Sequence, residues 1–291
     1  MPSNAAVRVE MSPPKVQSEP LFFPADGRPL YGMYCPPARE RPHAAALVAC
    51  HGVGLEHAVT SHVVAQAVRQ AAALGYPAFL YHSRGHGDSA GDFAEITFEN
   101  LVEDALAAAE QVRQLSRVRR IIWLGLRVGG LVAAEAAVRS ADSAGLVLWE
   151  PVAKGADYFR QLVRGLLFSA VARGEKTGKT VNEVLEQVER EGQADIHACY
   201  LHAKFYLGTR DLDLAKILER WAGPTLLAQV QARLNLSPAN AALVAALEGR
   251  GAKVAVTRIS EDPGWQFLMW GQPWSSTTLL ENTGSWLDEL A

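Results

Sequence analysis

Cysteine is scarce in this chain: Cys35, Cys50 and Cys199 are the only three in 291 residues. The number is odd and no CxxC spacing occurs, which excludes a disulfide framework and a cysteine-based zinc site and fits a reducing compartment. Neither sign of charge dominates, since 28 Lys and Arg stand against 31 Asp and Glu, a net charge of -3. Such a balance creates no field that would draw the chain to nucleic acid or to an acidic membrane. No apolar run reaches the roughly 18 residues that a membrane span needs. The first residues, MPSNAAVRVEMSPPKVQSEP, lack the apolar core of a signal peptide. Residues 1–18 therefore read as a disordered lead-in, and the expectation is a soluble, cytoplasmic protein. Histidine is missing after His202. There is no internal repeat, and the glycine-rich stretch Ser83 to Gly91 lacks the Gly-Lys-Ser/Thr ending of a phosphate-binding loop. No cofactor and no metal are expected.

What the chain does have is apolar content, 49% of its residues, enough for a large buried core. Two short β signals, Leu21 to Phe23 and Leu30 to Tyr34, flank Asp26-Gly27, a strong hairpin turn. Ala44 to Cys50 is a continuous apolar run that ends at His51-Gly52, as a buried parallel strand would. A helical pattern follows from about Ser61 to Leu74 and stops at Gly75 and Pro77. Strand Ala78 to Tyr81 leads into the glycine-rich loop. A helix is expected over Phe98 to Leu115, where Leu101, Ala105, Ala108, Val112 and Leu115 recur at helical spacing. Strand Ile121 to Leu124, helix Leu131 to Val138 and strand Gly145 to Trp149 complete the first part. Residues 157–221 are helical and charged, as an inserted cap would be. The strand rhythm resumes with Thr225 to Ala228, helix Pro238 to Leu247, strand Ala252 to Thr257 and a last helix from Ser276 to Leu290. Alternation of this kind predicts an α/β fold with a mostly parallel, doubly wound sheet. The core is expected over 19–156 and 222–291, with the helical cap at 157–221.

Three pieces in series resemble the α/β-hydrolase superfamily: His51-Gly52 after one strand, Arg84-Gly-His-Gly-Asp-Ser89 after the next, and Gly125-Leu-Arg-Val-Gly129 after a third. The serine-aminopeptidase-like branch is the nearest likeness. Within it the chain is most similar to exosortase A system-associated hydrolase type 2 proteins, on Gly87 to Phe93, Gly125 to Arg127 and Leu148 to Val152. That resemblance implies an α/β-hydrolase fold and a link to exopolysaccharide export.

Hydrolysis by that fold uses a serine on the strand-to-helix elbow, then an acid, then a histidine. The elbow position here is Arg127, whose guanidinium stays protonated and can neither attack a carbonyl nor act as a base. The acid position follows the strand Thr225 to Ala228, where Gln229 to Asn235 carries no carboxylate. The histidine position follows Ala252 to Thr257, where Glu261 to Gln266 carries no histidine. The expectation is a pseudo-hydrolase with no usual triad, binding a small anionic or acyl ligand or, through its charged cap, a protein partner. That partner could be a second copy of the chain, a homo-oligomer. The alternative is an active hydrolase or acyl-transfer enzyme of unusual design using His51, Arg127 or Glu150.

Arg127 has two competing readings. The first is a buried ion pair with Glu150, which ends the neighbouring strand and would plug the site. The second is an anion site, built from Arg127, the Val128 N–H and the Val53 N–H beside Gly52, amides that would form an oxyanion hole in a working hydrolase. Trp265, Trp270 and Trp274 are expected to pack near the lost histidine, with Trp265 roofing the ligand. Cys50 should point away from His51. Glu56 and His57 could reach the mouth of the pocket but read first as a solvated loop pair, and His86, Asp88, Ser83 and Ser89 as loop structure. His82 stands where the resemblance implies an aspartate, a change that would remove a brace from the loop.

Overall fold

A computed structural model describes residues 16–39, 42–176, 178–196, 199–232, 235–263, 265 and 274–290. Strands β1 (Glu19–Ala25) and β2 (Arg28–Cys35) form the expected hairpin. Asp26 and Gly27 both take positive φ, 48° and 71°, the backbone that lets a two-residue turn match the strand twist. Next come β3 (Ala45–Cys50), α1 (Leu55–Leu74), β4 (Ala78–Tyr81), α2 (Phe98–Ser116), β5 (Arg120–Leu126), α3 (Val128–Arg139) and β6 (Ser143–Trp149). The stretch between β6 and β9, expected from the sequence to form a cap, holds α4 (Gly155–Ala172), α5 (Val181–Glu191), β7 (Gln193–Ile196), β8 (Cys199–His202), α6 (Ala203–Thr209) and α7 (Leu214–Ile217). The chain then returns through β9 (Thr225–Val230), α8 (Pro238–Glu248), β10 (Val254–Ile259) and α9 (Thr277–Leu290).

Eight strands make one sheet in the order β1-β2-β4-β3-β5-β6-β9-β10. The first two pairings are antiparallel and all those from β4 to β10 are parallel. The central strands are buried on both faces, which explains why β3 reads as an uninterrupted apolar run. One face is covered by α1 and α9, the other by α2, α3, α8 and the cap.

Two features differ from the sequence reading. Helix α1 starts at Leu55, six residues before the expected Ser61, because Gly54 reverses the chain with φ 61° directly after the β3 loop. Residues 55–60 were hidden from the periodicity by polar side chains that turn out to be buried, Glu56, His57 and Thr60. The cap is also not wholly helical. Gly192 ends α5 in the left-handed region, and Gln193 to Ile196 then alternates exposed and buried side chains in a separate two-stranded hairpin with β8.

The elbow between β5 and α3 tolerates no side chain at its flanking glycines. A Cβ at Gly125 would meet the Gly129 carbonyl, and one at Gly129 would meet the carbonyls of Cys50 and His51. Both obstacles are backbone, so Gly129→Ala is expected to cost about 3 kcal/mol. Urea denaturation at neutral pH measures this, and a loss below about 1 kcal/mol would mean the elbow is loosely packed.

Candidate functional site

The parallel sheet gathers its loops at the carboxyl ends of the strands, where this fold class places ligands. Under α4 those loops enclose a cavity of about 820 Å³, with Arg127, Glu56 and Glu150 at its inner end and Tyr158, Trp265 and Phe168 on its walls.

Arg127 is the residue immediately after β5 and has φ 55°, ψ -121°. That region is costly for any side chain other than glycine, by about 1–3 kcal/mol. The strain is held by two backbone bonds: the Arg127 N–H donates to the Trp149 carbonyl (3.0 Å) and the Gly130 N–H to the Arg127 carbonyl (2.9 Å). The side chain is only 8% exposed.

Its ion-pair partner is Glu56, not the expected Glu150. The Arg127 Nε donates to Glu56 Oε1 at 3.1 Å, and the Tyr158 hydroxyl of α4 donates to Glu56 Oε2 at 3.3 Å. Glu150 instead accepts the Val230 N–H at 2.7 Å and the Gln231 side-chain amide at 2.8 Å. The reason lies in the backbone: Glu150 has φ 40° and its own N–H is held by the Ala228 carbonyl at 2.7 Å, so its carboxylate reaches across to the end of β9. Glu56 arrives because α1 begins early and places it in the first helical turn.

The guanidinium carbon lies 5.5 Å from the Tyr158 ring centroid and 5.9 Å from that of Trp265, a cation–π setting on two sides. Burial alone would lower the Arg127 pKa, but the nearby carboxylates, Glu56 first, raise it above the ordinary value. Burial also raises the Glu150 carboxyl, against the pull of Gln231, the Val230 N–H and Arg127. Among the described residues only Nε of Arg127 has a hydrogen-bond acceptor. Both Nη groups remain open to the cavity.

The amides expected to form an anion site are free of acceptors among the described residues but lie outside the cavity. Neither the Val53 N–H nor the Val128 N–H has an acceptor among the described residues. Yet Gly52, Val53 and Val128 are not among the residues that line the cavity. Glu56 explains this: it lies over Gly52, where a built Cβ would come within 3.0 Å of the Glu56 Cβ and 3.5 Å of Oε2.

His51 also lies outside the cavity lining. Its ring packs 4.6 Å from His57 and 6.1 Å from His82, and His57 is 5.0 Å from His82 and 5.2 Å from His86. Both ring nitrogens of His51, His57 Nε2 and His82 Nδ1 are buried without a partner among the described residues. Burial drives all four histidines below their ordinary pKa, His51 and His82 in direction, His57 to about 3 and His86 to about 4. Glu56 and His57 are thus buried groups of α1, not a solvated loop pair. No group of three or more His, Cys, Asp or Glu among the described residues has metal-holding geometry.

The remaining sequence candidates are structural. Cys50 accepts a hydrogen bond from the Tyr81 hydroxyl (3.5 Å), and burial pushes its thiol up to about 12. His86 Nε2 accepts the Gly54 N–H at 3.0 Å, which leaves the ring proton on Nδ1, facing the Arg84 carbonyl at 3.2 Å. The glycine-rich loop keeps its brace despite His82, since Asp104 of α2 takes the Arg84 N–H at 2.9 Å and its guanidinium at 2.7 Å. Ser89 ties the His82 carbonyl to the Tyr31 N–H; Asp88 is exposed. Trp265 meets Trp274 edge to face at 4.7 Å, and Trp270 lies outside the described residues.

Tyr158 and Gln231 were not among the sequence candidates, and Glu56 was one only as a residue that could reach the pocket mouth with His57. The one available signal for Glu56 was an acidic residue four positions after His51-Gly52 and just before an apolar helix.

Residues 41–198 match the Hydrolase_4 family, described as serine aminopeptidase, S33. The chain belongs to this family. No curated protein sequence matches it. Similar solved structures include Est1E from Butyrivibrio proteoclasticus with ferulic acid bound, at 16% identity and TM-score 0.65, covering 92% of this chain and 96% of that one. The Pyrococcus furiosus esterase Pf2001 aligns at 13% identity and TM-score 0.62, over 94% and 90% of the two chains. A proline iminopeptidase of Mycobacterium smegmatis aligns at 15% identity and TM-score 0.62, over 94% and 98%. At these identities the likeness establishes the α/β-hydrolase fold of the family. No helix of the described residues is long and apolar enough to cross a membrane.

Proposed function

We propose that this family member is a non-hydrolytic ligand-binding protein, in which Arg127 replaces the serine nucleophile and receives a carboxylate. The observation that carries the reading is the open fork of Arg127: a buried arginine, its side chain 8% exposed, at the wall of an 820 Å³ cavity, with both Nη groups free of protein acceptors among the described residues. A fork of this kind takes a carboxylate through two parallel bonds. The aromatic and aliphatic walls suit the rest of a small acid or acyl ligand. The Val53 and Val128 amides lie beneath Glu56 and would join the site only if that side chain moved. Export of exopolysaccharide is the setting suggested by the narrower sequence likeness.

Binding of hydrocinnamate, followed by calorimetry, tests the reading together with a serine-reactive fluorophosphonate probe. Hydrocinnamate is expected to bind and to lose at least about tenfold in affinity in Arg127→Lys, which keeps the charge for Glu56 but removes the fork. The probe should label no serine. Stoichiometric labelling of one serine, or equal affinity in the variant, overturns the proposal.

One observation favours a second reading, an acyl-transfer or hydrolytic enzyme. Glu150 is a buried carboxyl raised by burial at the wall of the cavity, the condition of a general acid. Turnover of acyl esters that is present in the wild type and lost in Glu150→Gln would support it. Loss in His51→Ala instead would return the chemistry to the histidine.

A further inference from the structure

The three buried charges at the inner end of the cavity do not cancel. Glu56 and Arg127 form one pair. Among the described residues Glu150, 6% exposed, accepts hydrogen bonds only from neutral donors, the Val230 N–H and the Gln231 amide, and Arg127, already paired with Glu56, acts on it from beyond ion-pair distance. Among the described residues no Lys, Arg or His lies within 4.0 Å of its carboxylate. Each of its oxygens takes one hydrogen bond and has room for another. Neutral donors soften the burial of a charge but do not neutralise it. At the rim the exposed charges balance, Lys154 and Arg164 against Asp157 and Asp262, so they do not supply the missing cation.

Arg127 and Glu150 are matched in position. One follows β5 and the other follows β6, and the last pair of those strands in register is Leu126 with Trp149. Their backbones therefore leave the sheet about one strand spacing apart, roughly 4.8 Å, and both side chains line the same cavity. The free fork of Arg127 and the cation-deficient carboxylate of Glu150 face a ligand together.

We propose that the cavity binds a zwitterion, the head group of a free amino acid, with its carboxylate on the Nη groups of Arg127 and its ammonium on Glu150. The apolar side chain lies along Tyr158, Leu162 and Trp265. A simple anion would add a third negative charge to one guanidinium, and a simple amine would leave the fork unmatched. A zwitterion adds no net charge and gives each buried group its complement. This rests on the reading of Arg127 as a carboxylate receptor and adds the second half of the ligand.

Calorimetric titration with phenylalanine, N-acetylphenylalanine, hydrocinnamate and phenethylamine tests it on the intact chain. These share one skeleton and carry both charges, the carboxylate alone in two forms, and the amine alone. Phenylalanine is expected to bind at least tenfold tighter than hydrocinnamate or N-acetylphenylalanine to the wild type. In Glu150→Gln that advantage disappears, because phenylalanine loses its ammonium partner while hydrocinnamate, facing one negative charge fewer, binds at least as tightly as to the wild type. Equal affinity of the three acids for the wild type, or an advantage that survives in Glu150→Gln, overturns the inference and leaves the Arg127 reading standing. If no acid binds, or if Arg127→Lys binds them all unchanged, the Arg127 reading fails and this one with it. The wild-type series decides the matter even where a variant folds poorly.

Discussion

Glu56→Gln is expected to lower the unfolding free energy by about 3–5 kcal/mol, the cost of leaving one buried charge without its partner. Glu56 is 3% exposed and Arg127 7%, so water reaching the pair from the cavity replaces the lost carboxylate only in part. The amide also changes the second contact, because the Gln Oε1 can still accept from Arg127 but its NH2 must donate to the Tyr158 hydroxyl, which trades a charge-assisted bond for a neutral one. The Tyr158 bond ties the cap helix α4 to the core, and its weakening should loosen the cap before the sheet. Removing both charges, Glu56→Gln with Arg127→Met, should recover most of the loss, since no unpaired ion remains. Denaturant unfolding of the single and double variants reads this directly. A single variant within about 1 kcal/mol of wild type would show that the pair is more hydrated than its burial implies.

Acid should destabilise the protein early, between pH 6.5 and 4, before most carboxylates titrate. Four neighbouring histidines are held neutral by burial, with His57 at about 3 and His86 at about 4. Unfolded, each takes up a proton near 6.5. In that window the unfolded chain binds more protons than the folded one, so stability falls as the pH falls. It is fully present above pH 6.5 and is lost down to the folded values. His86 alone accounts for about 3 kcal/mol over this range, and the slope per histidine is about 1.4 kcal/mol per pH unit. Protonated His86 can no longer accept the Gly54 N–H, so α1 and the Glu56 it carries are the first parts affected. Unfolding midpoints measured from pH 7 to 4 give the slope, and His57→Phe should flatten it by about one proton. A flat profile between pH 6.5 and 5 would mean that the histidines are hydrated in the folded state.

The sheet was legible because its cause is local. Buried parallel strands need unbroken apolar runs, and Ala44 to Cys50, Ile121 to Leu124 and Gly145 to Trp149 supply them. Asp26-Gly27 and the glycines at 125 and 129 mark turns whose backbone other residues do not adopt readily. The start of α1 was not legible, since Leu55 to Thr60 carries polar groups that only tertiary contacts bury. The β7–β8 hairpin of the cap was missed for a related reason: four-residue strands leave too short an alternation to stand out from a charged helical stretch.

From the sequence alone came the α/β-hydrolase architecture, the position of Arg127 on its elbow, and the glutamine-rich and histidine-free loops around it. The doubly wound sheet and the loop compositions follow from residue type and spacing along the chain, whereas the hydrolase architecture and the elbow position of Arg127 follow from the family resemblance. Which carboxylate pairs with Arg127 was decided only in three dimensions. Glu150 is the nearer candidate along the sheet, but its backbone turns its side chain to β9. Glu56, 71 positions away in sequence, is delivered by the early start of a helix. An ion pair depends on where two side-chain ends meet, and neither end's position is set by local sequence. Among the described residues the same geometry leaves the Glu150 carboxylate without a cation within 4.0 Å and the Arg127 fork without an acceptor, both on one cavity.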